Sequence, residues 1–452
     1  MGRVPRLLIG AARSGAGKTL ITCALLKALQ KRKKQAVSFK CGPDYIDPLF
    51  HREALGIDSD NLDSFFCTPD QVRALLGERA GNCEIAVLEG VMGYYDGLGG
   101  MKEEASTYDI ARITGTPAVL VVDARGASLS LLPLIRGFRE FREESQIRGV
   151  IFNRMSPGMY PQMKKLVEEE TDLRVFGYLP VLPEGILESR HLGLKLPWEA
   201  PGWEERLEAL GERLEETVDV EGLLELAETA DDLGEPATGK EEGDPVRIAV
   251  ARDEAFCFCY RDNLDFLEKR GGELVFFSPL HDPHFPEGVK GLVLYGGYPE
   301  LWGSQLEANE TLRRELGEAV RGGLPCVAEC GGFQYLQERL RTAEGSYAMA
   351  GVLEGESFPA GSRRFGYVEL TGGRLFGKSL AAPLRAHEFH YYDSSRCGEG
   401  FTARKPVSGR QWPCMISEKT LLAGYPHFHY RGNPQIGEAF LEACRRYAKE
   451  KG

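Results

Sequence analysis

The stretch LLIGAARSGAGKTLITCALLKAL, close to the N-terminus, constrains the fold more than any other part of the chain. It reads as an apolar strand, a glycine loop and an apolar-faced helix in direct succession. Such a loop wraps backbone N–H groups around phosphates, and the helix N-terminus behind it adds a favourable dipole. The core is SGAGKT, Ser14 to Thr19. Ser14, Gly15 and Gly17 shape the cradle, Lys18 is expected to reach the terminal phosphates of ATP, and Thr19 to hold Mg2+ through its hydroxyl. The strict motif wants glycine where this chain has Ala12, with Gly10 two residues earlier. The flanking strand and helix outweigh that departure.

A loop of this kind sits at the edge of a parallel sheet, and the first half of the chain supplies one. AVSFK, IAVLEG, AVLVVDA and GVIFN are further buried-strand candidates, several followed by amphipathic stretches. That alternation predicts a doubly wound α/β sheet. A chain of 452 residues exceeds one ordinary core, so two domains are expected. RIAVA, ELVFFSP, GLVLYGG and PCVAEC begin a second α/β series after an acidic stretch ending GEPATGKEEGDP. The expected division is a P-loop domain over 1–195, an acidic helical linker over 196–245, and a second domain over 246–452.

Mg2+ favours carboxylate and phosphate oxygens, so a phosphate site needs acids at neighbouring strand ends. CGPDYIDP supplies Asp44 and Asp47, and VLEGVMGYYDG supplies Glu89 and Asp96. Thr19, Asp44 and Glu89 are the expected metal ligands.

The second half carries a different chemistry. LPCVAECGGFQYLQERL places Cys330 between a strand and a helix, with two glycines to allow a sharp turn. A helix N-terminus lowers a thiol's pKa, and the N–H of Gly331 is aimed at a developing oxyanion. A second donor is expected from YGGYPEL, at Gly297. A cysteine nucleophile needs a base. AGYPHFHYRGNP offers His427 and His429, which alternate and so share a face if the segment is a strand. AHEFHYY offers His387 and His390 around Glu388, but the strand-end setting favours the first pair.

The net charge of −12, with KRKK at Lys31 to Lys34 as the only basic run, argues against nucleic acid as a partner. No apolar run reaches the roughly 18 residues of a membrane span. The N-terminus runs straight into a strand, unlike a signal peptide. The 11 scattered cysteines fit a reducing, cytoplasmic setting. The pair Cys257 and Cys259 reads as strand residues rather than metal ligands.

Taken in order, these motifs resemble the cobyrinic acid a,c-diamide synthase family. SFKCGPDYIDPLFH, LEGVMGYYDG, ASTYDIARITGTPAVLVVDA, RHLGL, RIAVARDEAF, LVFFSPLHD, GGYPELW, AECGGFQYL, RFGYVEL, HEFHYY and GYPHFHYRGNP carry the resemblance over nearly the whole chain. It implies an N-terminal half similar to dethiobiotin synthetase and a C-terminal half similar to a class I, triad-type glutamine amidotransferase. It implies that ATP phosphorylates the a and c acetates of a corrinoid, and that ammonia from L-glutamine displaces the phosphate. Within the resemblance His427 aligns best with the base, no third acid is evident, and Tyr45, Asp47, His51, Arg190, His191, Glu388 and His390 are expected macrocycle contacts. Two departures stand out: CFCY follows DEAF, and proline precedes His427. Nickel-sirohydrochlorin is the rival substrate. A P-loop ATPase with an inactive glutaminase-like module is the rival class. The sequence leaves a homodimer open.

Overall fold

In the computed structural model, residues 4–182, 189–190, 193–196, 198, 202–234 and 243–451 are described. The chain divides into two units, Met1–Thr238 and Gly239–Gly452. Among the described residues, the first holds a seven-stranded sheet in the order β3-β2-β4-β1-β5-β6-β7. Its strands are β1 (Arg6–Ala11), β2 (Ala36–Cys41), β3 (Ser59–Leu62), β4 (Ile85–Glu89), β5 (Ala118–Asp123), β6 (Ile147–Asn153) and β7 (Arg174–Leu179). Every pairing is parallel. Strand order reverses at β1, and ligands of open α/β sheets bind at such a switch point.

Register brings the functional ends together. Ile9 lies opposite Glu89, and Glu89 lies opposite Lys40, so β1, β4 and β2 end in line. Helix α1 (Lys18–Lys31) starts directly from the glycine loop and buries Ile21, Leu25, Leu26 and Leu29. Each of those aliphatic side chains contributes about 1.5–3 kcal/mol of burial.

The acidic segment expected as a helical linker is helical, and its helices Trp203–Thr217 and Val220–Ala227 belong to the first unit. Leu207, Leu210 and Leu214 are buried, and the charged face meets α1. Lys27 and Lys31 pair with Glu208 at 2.9 and 2.8 Å, and Arg32 pairs with Glu215 at 2.7 Å. Part of the basic KRKK run thus answers the acidic helix.

Among the described residues, the second unit holds two large sheets and a two-stranded ribbon, Arg374–Leu375 with Lys378–Ser379. The first runs Gly272–Phe277, Val246–Ala251, Gly291–Leu294, Cys326–Glu329, Leu421–Gly424 and Ile416–Ser417, parallel except for its last member. Val327 and Leu422 join one buried cluster while Cys326, Ala328 and Ala423 join the other. The sheet is therefore covered on both faces, which explains its unbroken apolar strands. A second, largely antiparallel sheet is built around the long strands Leu353–Thr371 and Leu384–Ser394. It pairs Ala386 with Phe428 and His387 with His427. Cys257 and Cys259 lie outside the named strands; only Phe258 between them bridges, to Gly296.

Candidate active sites

The glycine loop closes over the end of β1. Gly17, at φ 104°, caps α1 in the left-handed region that favours glycine. A Cβ there would also lie 2.1 Å from the Asn153 side chain. Asn153 donates to the Ala16 carbonyl at 2.8 Å, while its own buried Oδ1 has no hydrogen-bond partner. The Lys18 ammonium donates to the Met92 carbonyl. Burial, aided by the nearby Lys40 charge, brings Lys18 down to about 8.

Behind the loop lies a buried charge cluster. Thr19 donates to Glu89 at 2.6 Å and lies 3.4 Å from Asp47. Lys40 donates to Glu89 at 2.7 Å and also to Asp47. Burial raises Glu89 to about 7, against the Lys40 charge. Burial also works against ionised Asp47, but the Lys40 ion pair outweighs it and holds Asp47 low. Glu89 Oε2 has no hydrogen-bond partner and meets His51 Nε2 at 3.8 Å.

The expected metal set is only partly assembled. Thr19 and Glu89 come together, and Asp47 joins them. Asp44 turns to helix α2 (Ile46–Leu55), accepting from the backbone N–H of Ile46 at 2.8 Å. Burial raises its pKa to about 6. Among the described residues no preformed group of three metal-ligating side chains exists. The donors nevertheless suit Mg2+, since they are hard oxygens and one carboxylate oxygen is unsatisfied, while Lys40 bonds the same carboxylates as a competing cation. Lys40 and Asn153 escaped the sequence reading, although both stand at the C-terminal ends of recognised strands.

The expected macrocycle contacts fare unevenly. Tyr45 and Asp47 are buried, and Asp47 lies beside Thr19. His51 is fully buried, bonded to Ser38 Oγ at 3.1 Å. Burial lowers it to about 4, so it is a neutral interior histidine. His191 and the side chain of Arg190 lie outside the described residues. Glu388 and His390 are buried in the second unit, where His390 stacks on Tyr425 at 3.9 Å.

In the second unit, Cys330 follows the strand Cys326–Glu329 with φ 49° and ψ −104° and opens the short helix Gly331–Leu336. Holding a residue with a side chain there costs on the order of 1–3 kcal/mol, and the surroundings enforce it. The Cys330 N–H donates to Gly424 at 2.7 Å. A Cβ on Gly332 would lie 2.2 Å from the Leu294 carbonyl. A Cβ on Gly331 would lie 3.1 Å from the Gly297 nitrogen, so the two expected oxyanion donors are neighbours. The thiol corrects one expectation. Burial raises its pKa, and the Gly331 N–H pulls only weakly the other way. One turn of helix does not ionise a dry sulfur; a base is required.

The two candidate histidines diverge. A Cβ on Gly296 would lie 2.6 Å from His427 Cε1 and 3.4 Å from Cys330 Cβ, which puts the His427 ring beside the cysteine. Its Nδ1 faces Glu329 Oε2 at 3.6 Å, and His387 stacks on it at 4.9 Å. Burial lowers His427 to about 3. His429 turns to Tyr260, at 5.1 Å between ring centroids, and to Asp262, at 3.9 Å. The short strand ends at Phe428, so the alternation that would align both histidines stops between them. Glu329 also escaped the sequence reading; a lone carboxylate inside PCVAEC was its signal.

Both units are similar to known proteins. Residues 7–191 match the CobQ/CobB/MinD/ParA nucleotide binding domain. Residues 247–435 match the CobB/CobQ-like glutamine amidotransferase domain. A protein of Caldanaerobacter subterraneus subsp. tengcongensis named cobyrinate a,c-diamide synthase is 37% identical over 454 residues, covering 98% of this chain and 99% of its own. One from Listeria innocua is 38% identical, covering 98% and 100%. One from Priestia megaterium is 35% identical, covering 99% and 98%. Identity at this level over both units establishes that the chain belongs to the cobyrinate a,c-diamide synthase family.

Proposed function

We propose that this chain is an amide-forming ligase that converts the a and c acetate carboxylates of cobyrinate into amides, using ATP and glutamine, in cobalamin biosynthesis. The carrying observation is Cys330 in a strained strand-to-helix turn beside His427, on a chain that also holds a complete glycine loop at a sheet switch point.

In the first unit the loop N–H groups and Lys18 hold the ATP phosphates. Thr19, Glu89 and Asp47 would hold Mg2+, which would supply charge neutralisation at the phosphates. A substrate carboxylate oxygen attacks the γ-phosphorus, the bond to ADP breaks, and an acyl phosphate forms. Ammonia then attacks the acyl carbon, phosphate leaves with the bonding pair and takes up the proton that ammonia sheds, and an amide remains. Lys40 holds Asp47 ionised and opposes the burial that raises Glu89.

In the second unit His427 takes the Cys330 proton, and the sulfur attacks the glutamine side-chain carbonyl. Gly331 and Gly297 N–H groups hold the oxyanion. Ammonia leaves with the proton from the imidazolium, and water clears the thioester to give glutamate. Release of glutamate from glutamine, once measured, would exclude the rival of an ATPase with an inactive module.

Mass spectrometry of products from cobyrinic acid and from nickel-sirohydrochlorin, each with ATP, Mg2+ and glutamine, tests the reading. Two added amides on cobyrinic acid are expected. Amidation of nickel-sirohydrochlorin alone would replace the substrate assignment.

A further inference from the structure

The glutaminase has a nucleophile and a base, but sequence reading supplies no third group to orient the base. We infer that Glu329, the residue immediately before the nucleophile, positions His427: its carboxylate accepts the Nδ1–H and turns Nε2 toward the Cys330 sulfur. The inference rests on the roles given above to Cys330 and His427.

Geometry carries it. Glu329 ends the strand Cys326–Glu329 and is 1% exposed. Strand alternation puts it on the face of Val327, opposite Ala328. There its Oε2 lies 3.6 Å from His427 Nδ1. The Phe428 backbone N–H, next to His427, also favours the ionised form of this carboxyl, although neither oxygen is within hydrogen-bond geometry of a partner. Among the described residues no side chain is within hydrogen-bond distance of either oxygen, and His427 Nδ1 is the polar atom it faces. A carboxyl in an apolar interior with so few partners costs several kcal/mol. Packing alone gives no reason for a chain to put one beside its nucleophile.

The rest of the pocket agrees. With Nδ1 toward Glu329, the Cε1 edge of the ring passes close to Gly296, whose own neighbour is Cys330. His387 lies nearly parallel to the ring, at 21°, which limits tilting but not a flip about the ring axis. Only an acceptor at Nδ1 fixes the flip and the tautomer. His429 cannot take this part, since it faces Asp262 and Tyr260. During reaction the Nδ1–H stays on His427; the proton from Cys330 enters at Nε2 and leaves with ammonia. Charge on Glu329 stabilises the imidazolium between those events.

The acid also predicts a pH signature. Burial holds His427 near 3, so the imidazole does not itself protonate in the neutral range. Burial raises Glu329 well above an ordinary carboxylate. The groups around the pair are Cys330, Tyr295, Tyr430, His387 and His390. Burial raises both tyrosines, and desolvation makes His387 harder to charge, so none of these three supplies the acid limb. An acid limb that depends on Glu329 is therefore the signature the inference predicts, and its loss in a Glu329 variant separates Glu329 from Cys330 and His390.

The test is steady-state glutaminase kinetics from pH 5 to 9 on Glu329→Gln, with ammonium-supported ATP-dependent amidation as the folding control. Expected are a kcat lowered about 100-fold or more, a KM for glutamine within about threefold, and loss of the acid limb of the kcat profile. Wild-type kcat with an unchanged acid limb would overturn the role of Glu329. An absence of glutaminase in the unmutated chain would instead overturn the underlying reading. Should Glu329→Gln lose ammonium-supported amidation too, Glu329→Asp replaces it. A glutaminase rate between those of the wild type and His427→Asn supports the inference, and a wild-type rate contradicts it.

Discussion

At the scale of single residues, the two histidines separate cleanly. His427 lies against Cys330, while His429 packs on Tyr260 and Asp262. His427→Asn is expected to lower glutaminase kcat by about 10³-fold or more, in line with loss of a positioned base. His429→Asn should change it by less than about tenfold. Measuring glutamate release decides between them, and equal losses would return both residues to contention. The same ring carries a stability signature. Its pKa falls from 6.5 to about 3 on folding. Stability from the neutral buried ring is therefore full above about pH 6.5 and is lost as pH falls toward 3. By pH 5 the loss is about 2 kcal/mol. Urea midpoints at pH 7.5 and 5 should diverge in the wild type, and less so in His427→Gln.

At the scale of elements, two turns carry the chemistry. The glycine loop uses the left-handed Gly17 and the close approach of Asn153. The cysteine turn depends on Gly332, which leaves the Leu294 carbonyl no room for a methyl group. Gly332→Ala must push the helix Gly331–Leu336 off the sheet and carry Cys330 with it. A cost of about 1–3 kcal/mol and a large drop in glutamine hydrolysis are expected, with ammonium-supported synthesis retained. Normal Cys330 alkylation and normal glutaminase in that variant would mean the turn is softer than its contacts imply. Both turns were visible in the sequence because glycine clustering after an apolar run has few other uses. Strands β3 and β7 were not among the expected strands. The short β3 reads SDNL, with no apolar run to mark it.

At the scale of the molecule, each unit is built around its own sheet and carries its own chemistry. Lys18→Ala should abolish ATP-dependent amidation from either nitrogen source while a basal glutaminase survives. Cys330→Ala should abolish glutamine use and leave ammonium-supported amidation intact. Assaying both half-reactions in both variants checks the division; loss of both by either substitution would break it. The boundary itself differs from the reading of composition alone. An acidic, charged stretch looks like a linker, yet its leucines bury and its glutamates pair with Lys27, Lys31 and Arg32. Each exposed pair is worth only about 0–1 kcal/mol, so the buried leucine face holds the helix in place. Among the described residues no helix is long and apolar enough to cross a membrane.

The sequence by itself determined which chemistries are present. SGAGKT after a strand and ECGG before a helix are local patterns, and local patterns encode backbone shape and reactive groups directly. It also determined the parallel strands, since strands buried on both faces must be continuously apolar. Only the tertiary structure decided the partners. Lys40 meets Glu89 because parallel register aligns two strand ends far apart in the chain. Asp47 rather than Asp44 joins Thr19, because Asp44 is spent on the start of α2. His427 rather than His429 meets the cysteine because a two-residue strand ends between them. Such choices depend on register and burial, which are properties of the packed sheet and have no counterpart in residue spacing.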